Sequence, residues 1–178
     1  NLNRILSSTL DDAINQLPKV NVMSRSIHET GFGTKVIIFP SHISEYEVVK
    51  ELAECDILFG CVDGTEGRHI LNLIASFYII PFFDLGVRLE ADGKGGIESI
   101  FGSIHYLQPA GSSLLSRRQY NLQQLQAESM KRVNNSAFQE LARNKYLINV
   151  NEASPAVISI NMQIAAIAVN DLLARIHP

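Results

Sequence analysis

The sequence predicts an α/β fold whose largely parallel sheet becomes mixed toward its end. Three observations carry this reading. Short β-branched or apolar runs alternate with stretches of helical spacing as far as residue 90. One of those runs, 56–62, is apolar almost without interruption, as a parallel strand covered on both faces would be. A glycine-rich cluster, Asp92-Gly93-Lys94-Gly95-Gly96, then separates two strand-like segments in the manner of a hairpin.

Pro18 is placed to open a helix running to about Glu29, since proline is well tolerated in a first helical turn. Residues 35–40, a run of Val, Ile and Phe ending at Pro40, read as a strand. Helical spacing of Val48, Val49, Leu52 and Ala53 predicts a helix over 44–54. The strand at 56–62 follows, then a helix from Thr65 to Tyr78, a strand over 81–90 and a returning strand over 97–107. Residues 112–146 differ in composition, with six Lys/Arg (Arg117, Arg118, Lys131, Arg132, Arg143, Lys145) against Glu128 and Glu140. They read as exposed helix and crossover rather than core. The apolar stretch 158–176 closes the chain. Asn161, Gln163, Asn170 and Asp171 interrupt it, so it reads as a buried helix and not a membrane span.

A chain of 178 residues with 46% hydrophobic side chains can build one sizeable core. Its formal net charge of -3 argues against general binding to nucleic acid or anionic membranes, which needs a basic footprint. Cys55 and Cys61 lack the spacing of a zinc or redox pair and read as buried thiols of a reducing, cytoplasmic compartment.

Several residues invite chemistry. Asp63 directly follows the strand at 56–62, at the carboxyl edge where open α/β sheets bind ligands, and could hold Mg²⁺ on a nucleotide's phosphates. From position alone the favoured reading is a capping box of Asp63 with Glu66 for the next helix, which needs no ligand. Lys19 is a stronger candidate: it sits in a first helical turn, where the dipole disfavours a cation by about 0.3–1 kcal/mol unless an anion shares the site; a solvated surface lysine is the alternative. Arg4 has a planar fork suited to phosphate oxygens. The five histidines show no metal-ligand spacing, Ser113 and Ser116 have no neighbouring base, and neither a G-x-G-x-x-G loop nor a Walker motif is present.

In order along the chain, these positions resemble the ThiF/MoeB/HesA family, relatives of the ubiquitin-activating enzymes. Asn1-Leu2-Asn3-Arg4 is similar to that family's N-L-x-R segment, and Pro18-Lys19-Val20 to its P-K-V. Gly60-Cys61-Val62-Asp63 with Arg68 and Asn72 resembles C-x-D-N-x-x-x-R-x-x-L-N, and 80–86 resembles the strand after it. The resemblance implies a Rossmann-like fold with helices on both sheet faces, present as its C-terminal two-thirds and with the Gly-rich βαβ part absent. It implies that Arg4 and Lys19 contact ATP phosphates, that Asp63 holds Mg²⁺, and that Asn1 is a further contact. It also implies adenylation of the C-terminal carboxylate of a ubiquitin-like protein or peptide by a homodimer.

On this reading 1–111 forms the sheet and the remainder of the nucleotide site, 112–146 a basic crossover segment and 147–178 the closing helix. The chain departs from the family at Gly64, where Asn is common, at Ile5, where Gln is frequent, and at Ser113 and Ser116, in a segment where relatives often carry cysteines. Serine neither binds zinc as a thiolate nor forms a thioester, so no zinc and no thioester cysteine are expected. Two rivals stand beside the adenylating enzyme. One is a degenerate, non-catalytic subunit acting in dimerisation or scaffolding; the other is a dinucleotide-binding oxidoreductase domain.

Overall fold

The computed structural model of the chain describes residues 5–92, 96–134 and 158–177. Its sheet has three strands in the order β1 (Leu58–Gly60), β2 (Phe82–Ala91), β3 (Ile97–Leu107). β1 runs parallel to β2, and β3 returns antiparallel beside it, so the mixed α/β sheet and the hairpin are both present. Helices α1 (Leu10–Ile14), α2 (Lys19–Glu29) and α3 (Tyr46–Ala53) precede β1, and α4 (Thr65–Tyr78) joins β1 to β2. Helices α5 (Leu122–Val133) and α6 (Ile158–Ile176) follow the sheet. Among the described residues no helix is long and apolar enough to cross a membrane.

The two-residue period of the strands sorts side chains into rows across the sheet. Leu58, Phe82 and Leu107 are in register and buried with Leu71, Ile74 and Ala75 of α4. The next row, Phe59, Phe83 and Tyr106, turns to the opposite face. There Phe59 stacks on Phe83 at 5.0 Å between ring centroids, and Phe83 meets Tyr106 at 4.8 Å. α6 covers this second face with Ile164, Ala168 and Leu172, while Arg175 lies 3.9 Å over the Tyr106 ring. Gly102 admits that packing, because a β-carbon there would overlap Ile164 Cδ1. Helices on both faces are thus observed.

Four expectations need correction. Residues 35–40 form no strand. A strand exists by pairing its backbone, and among the described residues β1 pairs only with β2, leaving 35–40 without a ladder to join. β1 itself is three residues long, not seven, and Phe59 keeps 39% of its surface exposed, so the strand is not covered on both faces. α6 is not a buried helix: only Ala168 is fully enclosed, and Met162, Val169, Leu173 and Ile176 remain exposed. The segment after the sheet is not merely crossover, since Leu114 is wholly buried, Tyr120 nearly so, and both join the α4-side core.

Helix α1 lies in sequence given no element. Its cue is Thr9 with Asp12, a reciprocal capping box in which Thr9 Oγ1 accepts from Asp12 N–H and Asp12 Oδ2 accepts from Thr9 N–H. Arg25 of α2 closes a two-pronged bond on the same carboxylate, at 2.6 and 2.7 Å. The Arg25 hydrogen bonds, helped by the Thr9 N–H, hold the Asp12 carboxyl well below the usual carboxylate range. A carboxylate depressed in the folded chain stabilises it fully above its unfolded pKa, about 3.9, and that contribution fades as pH falls toward the lower folded value. Urea midpoints measured from about pH 5 down to about pH 2 should therefore fall more steeply in the wild type than in Asp12→Asn. Parallel curves would show that the pair contributes nothing.

Candidate functional site

β1 ends at Gly60, where the backbone presses on the core. A β-carbon at Gly60 would stand 2.8 Å from the Phe82 ring and 3.0 Å from Leu71 Cδ1. The third row of the sheet begins at this glycine and continues through Asp84 and His105, facing α4. Beyond Gly60 the chain leaves the ladder as a loop carrying Cys61, Val62 and Asp63, then enters α4 at Thr65.

Asp84 is completely buried, and Arg68 descends from α4 to pair with it. A second guanidinium nitrogen donates to the Leu85 carbonyl at 3.2 Å. Gly86 leaves the room this needs, since a β-carbon there would stand 2.9 Å from Arg68 Nη2 and from Ser103 Oγ. Burial pushes the Asp84 carboxyl up, against the opposing pull of Arg68 and His105. Asp84 Oδ1 and His105 Nε2, neighbours in register, both lack a hydrogen-bond partner. This part of the row is therefore polar, enclosed and incompletely satisfied.

The N-terminus of α4 is capped from afar. Gly64 is the N-cap residue and offers no side chain, and the capping box expected from Asp63 and Glu66 is absent. The Glu128 carboxylate of α5 accepts from the Thr65 N–H at 2.5 Å and the Glu66 N–H at 3.0 Å instead. Gly64 is what admits it, because a β-carbon there would overlap Glu128 Oε1. Glu66 in turn receives Arg132 of α5 through Nε and Nη2, both at 2.9 Å, and this contact holds the Glu66 carboxyl below its ordinary value.

Asp63 is exposed on the loop and makes no hydrogen bond or ion pair with any described residue. Its carboxylate stands at the carboxyl end of a parallel strand, beside a helix N-terminus, free of the capping task. Magnesium takes only one or two protein carboxylates and completes its octahedron with water and phosphate oxygens, so Asp63 suits it without further protein ligands. Among the described residues no group of three or more His, Cys, Asp or Glu is placed to hold a metal on its own. Lys19 is the first residue of α2, exposed and without a bonded partner among the described residues. Arg4 and Asn1 lie outside the described residues.

Both cysteines are exposed, which corrects the expectation of buried thiols. Cys61 falls on the loop because β1 stops one residue earlier, and Cys55 lies in the turn after α3 with its Sγ 3.6 Å from the Glu51 carbonyl. Although Cys61 has open surface, the protein atoms crowding its sulfur push the thiol up, and the Asp84 carboxylate adds to that. Ser113 and Ser116 close a turn on each other: each hydroxyl accepts from the other's backbone N–H, at 2.9 and 3.0 Å. Asn72 of α4 accepts the Leu114 N–H at 2.9 Å in the core and pins this turn to the helix.

Sequence reasoning missed Asp84, Glu128 and the bond from Leu114 to Asn72. A lone acid inside the apolar run Ile80-Pro81-Phe82-Phe83-Asp84 was a readable signal. Glu128 gave none, being 62 and 63 residues from the amides it caps.

A three-stranded mixed sheet with helices on both faces, and a free carboxylate at the carboxyl end of its parallel strand, defines a Rossmann-like α/β protein. The model of the ThiF family matches residues 1–176, nearly the whole chain, and the chain belongs to the ThiF family. That family is in general one of adenylyltransferases, whose members bind ATP with Mg²⁺. No curated protein matches the chain, and no solved structure does.

Removing one partner of a buried ion pair leaves an uncompensated charge and costs about 3–5 kcal/mol. Arg68→Met should therefore lower the unfolding free energy by about 3 kcal/mol, and the double change Arg68→Met/Asp84→Leu should recover most of it. A denaturant series in which the double variant is as unstable as the sum of the single variants would contradict the pairing.

Proposed function

We propose that the chain carries out ATP-dependent adenylation of the C-terminal carboxylate of a ubiquitin-like protein or peptide. The observation that supports it most is Asp63, freed from capping by Glu128 and exposed at the carboxyl end of β1. A carboxylate oxygen of the substrate attacks the α-phosphorus of ATP, the bond from that phosphorus to the bridging oxygen breaks, and pyrophosphate leaves with the electron pair. The product is an acyl-adenylate.

Asp63 would hold Mg²⁺, which when bound supplies positive charge to the phosphate oxygens. Lys19, exposed at the start of α2, and Arg4 neutralise further phosphate charge, with Asn1 a lesser contact. The sheet contributes rigidity: Arg68, held by Asp84 and by the Leu85 carbonyl, fixes the first turn of α4 against β2 and so fixes the loop that bears Asp63. The exposed apolar side chains of α6 and the family together support a homodimer.

The rival reading, a degenerate scaffold subunit, leaned on Gly64, Ile5 and the serine pair. Gly64 now has a structural reason in Glu128, and the serines one in their mutual turn. The oxidoreductase reading finds no support in these contacts.

In the intact protein Asp63→Ala should abolish ATP–pyrophosphate exchange and leave the circular dichroism spectrum unchanged; exchange near the wild-type rate in a folded variant would remove Asp63 from the mechanism. No substrate thioester should form on this chain: Ser113 and Ser116 stand in the segment where relatives often carry cysteines, and the crowding that pushes the Cys61 thiol up disfavours its thiolate. A reducible, ATP-dependent adduct on Cys55 or Cys61, detected by mass, would refute that expectation.

A further inference from the structure

We infer that Glu128 is the positioning residue for Asp63, acting from α5 through the N-terminus of α4. This inference rests on the adenylation reading for its functional arm and on geometry alone for its structural arm.

A helix start exposes N–H groups that require an acceptor, and an uncapped start frays. α4 cannot cap itself, since Gly64 has no side chain and neither Asp63 nor Glu66 bonds back. Glu128 supplies the acceptor with one oxygen shared by two N–H groups, which sets where Thr65 and Glu66 lie. Asp63 is two residues before Thr65, so the direction in which its carboxylate leaves β1 follows from that anchor.

The anchor is a matched pair. Glu128 reaches the amides only because residue 64 lacks a β-carbon. Glu66 and Arg132 make a second crossing bond between the same two helices, with Ser129 Oγ 3.4 Å from Glu66, so α5 is held to α4 at two points. An acidic residue of each helix thus serves the other.

Three variants of the intact protein test the idea: Glu128→Ala, Glu128→Gln and Gly64→Ala. Amide hydrogen exchange at Thr65 and Glu66 should speed up in Glu128→Ala and in Gly64→Ala, and the double variant should be no faster than either. Glu128→Gln keeps a neutral acceptor and should restore most of the protection. In pyrophosphate exchange, Glu128→Ala should raise the half-saturating Mg²⁺ concentration on the order of tenfold, the scale seen when a residue supporting a metal ligand is lost. Glu128→Gln should move it far less, and an unaltered global unfolding midpoint in either variant separates positioning from simple destabilisation. Unchanged amide protection at Thr65 and Glu66 in a folded Glu128→Ala would overturn the inference, as would additive effects of Gly64→Ala and Glu128→Ala. So would an unchanged Mg²⁺ requirement in a variant that has lost that protection. Absence of exchange in the wild type would defeat the adenylation reading instead, and the amide data would still decide whether Glu128 anchors the loop.

Discussion

The seating of α4 on β2 through Arg68 and Asp84 is the constraint on which the other features depend. A carboxylate with no exposed surface is costly to bury, and only a well-placed guanidinium offsets that cost. The requirement fixes its surroundings: glycine at 86 to admit the guanidinium, and α4 close enough for its fourth residue to reach the sheet. A looser helix would strand the charge. The pair therefore contributes placement more than net stability, and the loop between β1 and α4 inherits that placement.

The α5 contacts build on the same helix from its other side. α4 meets the sheet with Leu71, Ile74 and Ala75, holds the 113–116 turn through Asn72, and receives α5 at its first turn. One helix thereby connects the sheet, the turn after it and the strap beyond. His69 extends the arrangement by bonding the Tyr120 hydroxyl at 2.8 Å. Substitutions in this helix should be read for what they do to three neighbours at once.

Much of this was legible because it was local. Pro18 marked the start of α2, standing as its N-cap, the apolar spacing marked α4, and the Asp92–Gly96 cluster marked the break between β2 and β3. Non-local pairing defeated the same reasoning. Residues 35–40 have strand composition, yet composition cannot provide a neighbour to pair with. The apolar content of α6 suggested burial on all sides, but only the Ile164, Ala168 and Leu172 side packs on the sheet. At the site, the choice between cap and ligand for Asp63 could not be made from spacing. The acceptor that settled the cap lay on another helix, and no period in the sequence connects Gly64 to Glu128.

The β2–β3 hairpin has a consequence for the order of assembly. Its two strands are separated by few residues in sequence and pair from Phe82–Leu107 to Ala91–Ile97, so bringing them together costs little chain entropy. β1 pairs with β2 across the longer span that holds α4, and Glu128 reaches Thr65 only after 63 residues have been gathered. Ranked by loop closure, the hairpin nucleates, the parallel strand joins it, and the strap fastens last. The loop bearing Asp63 would then be the final part of the molecule to acquire its shape and the first to lose it under denaturant, well before the sheet dissolves.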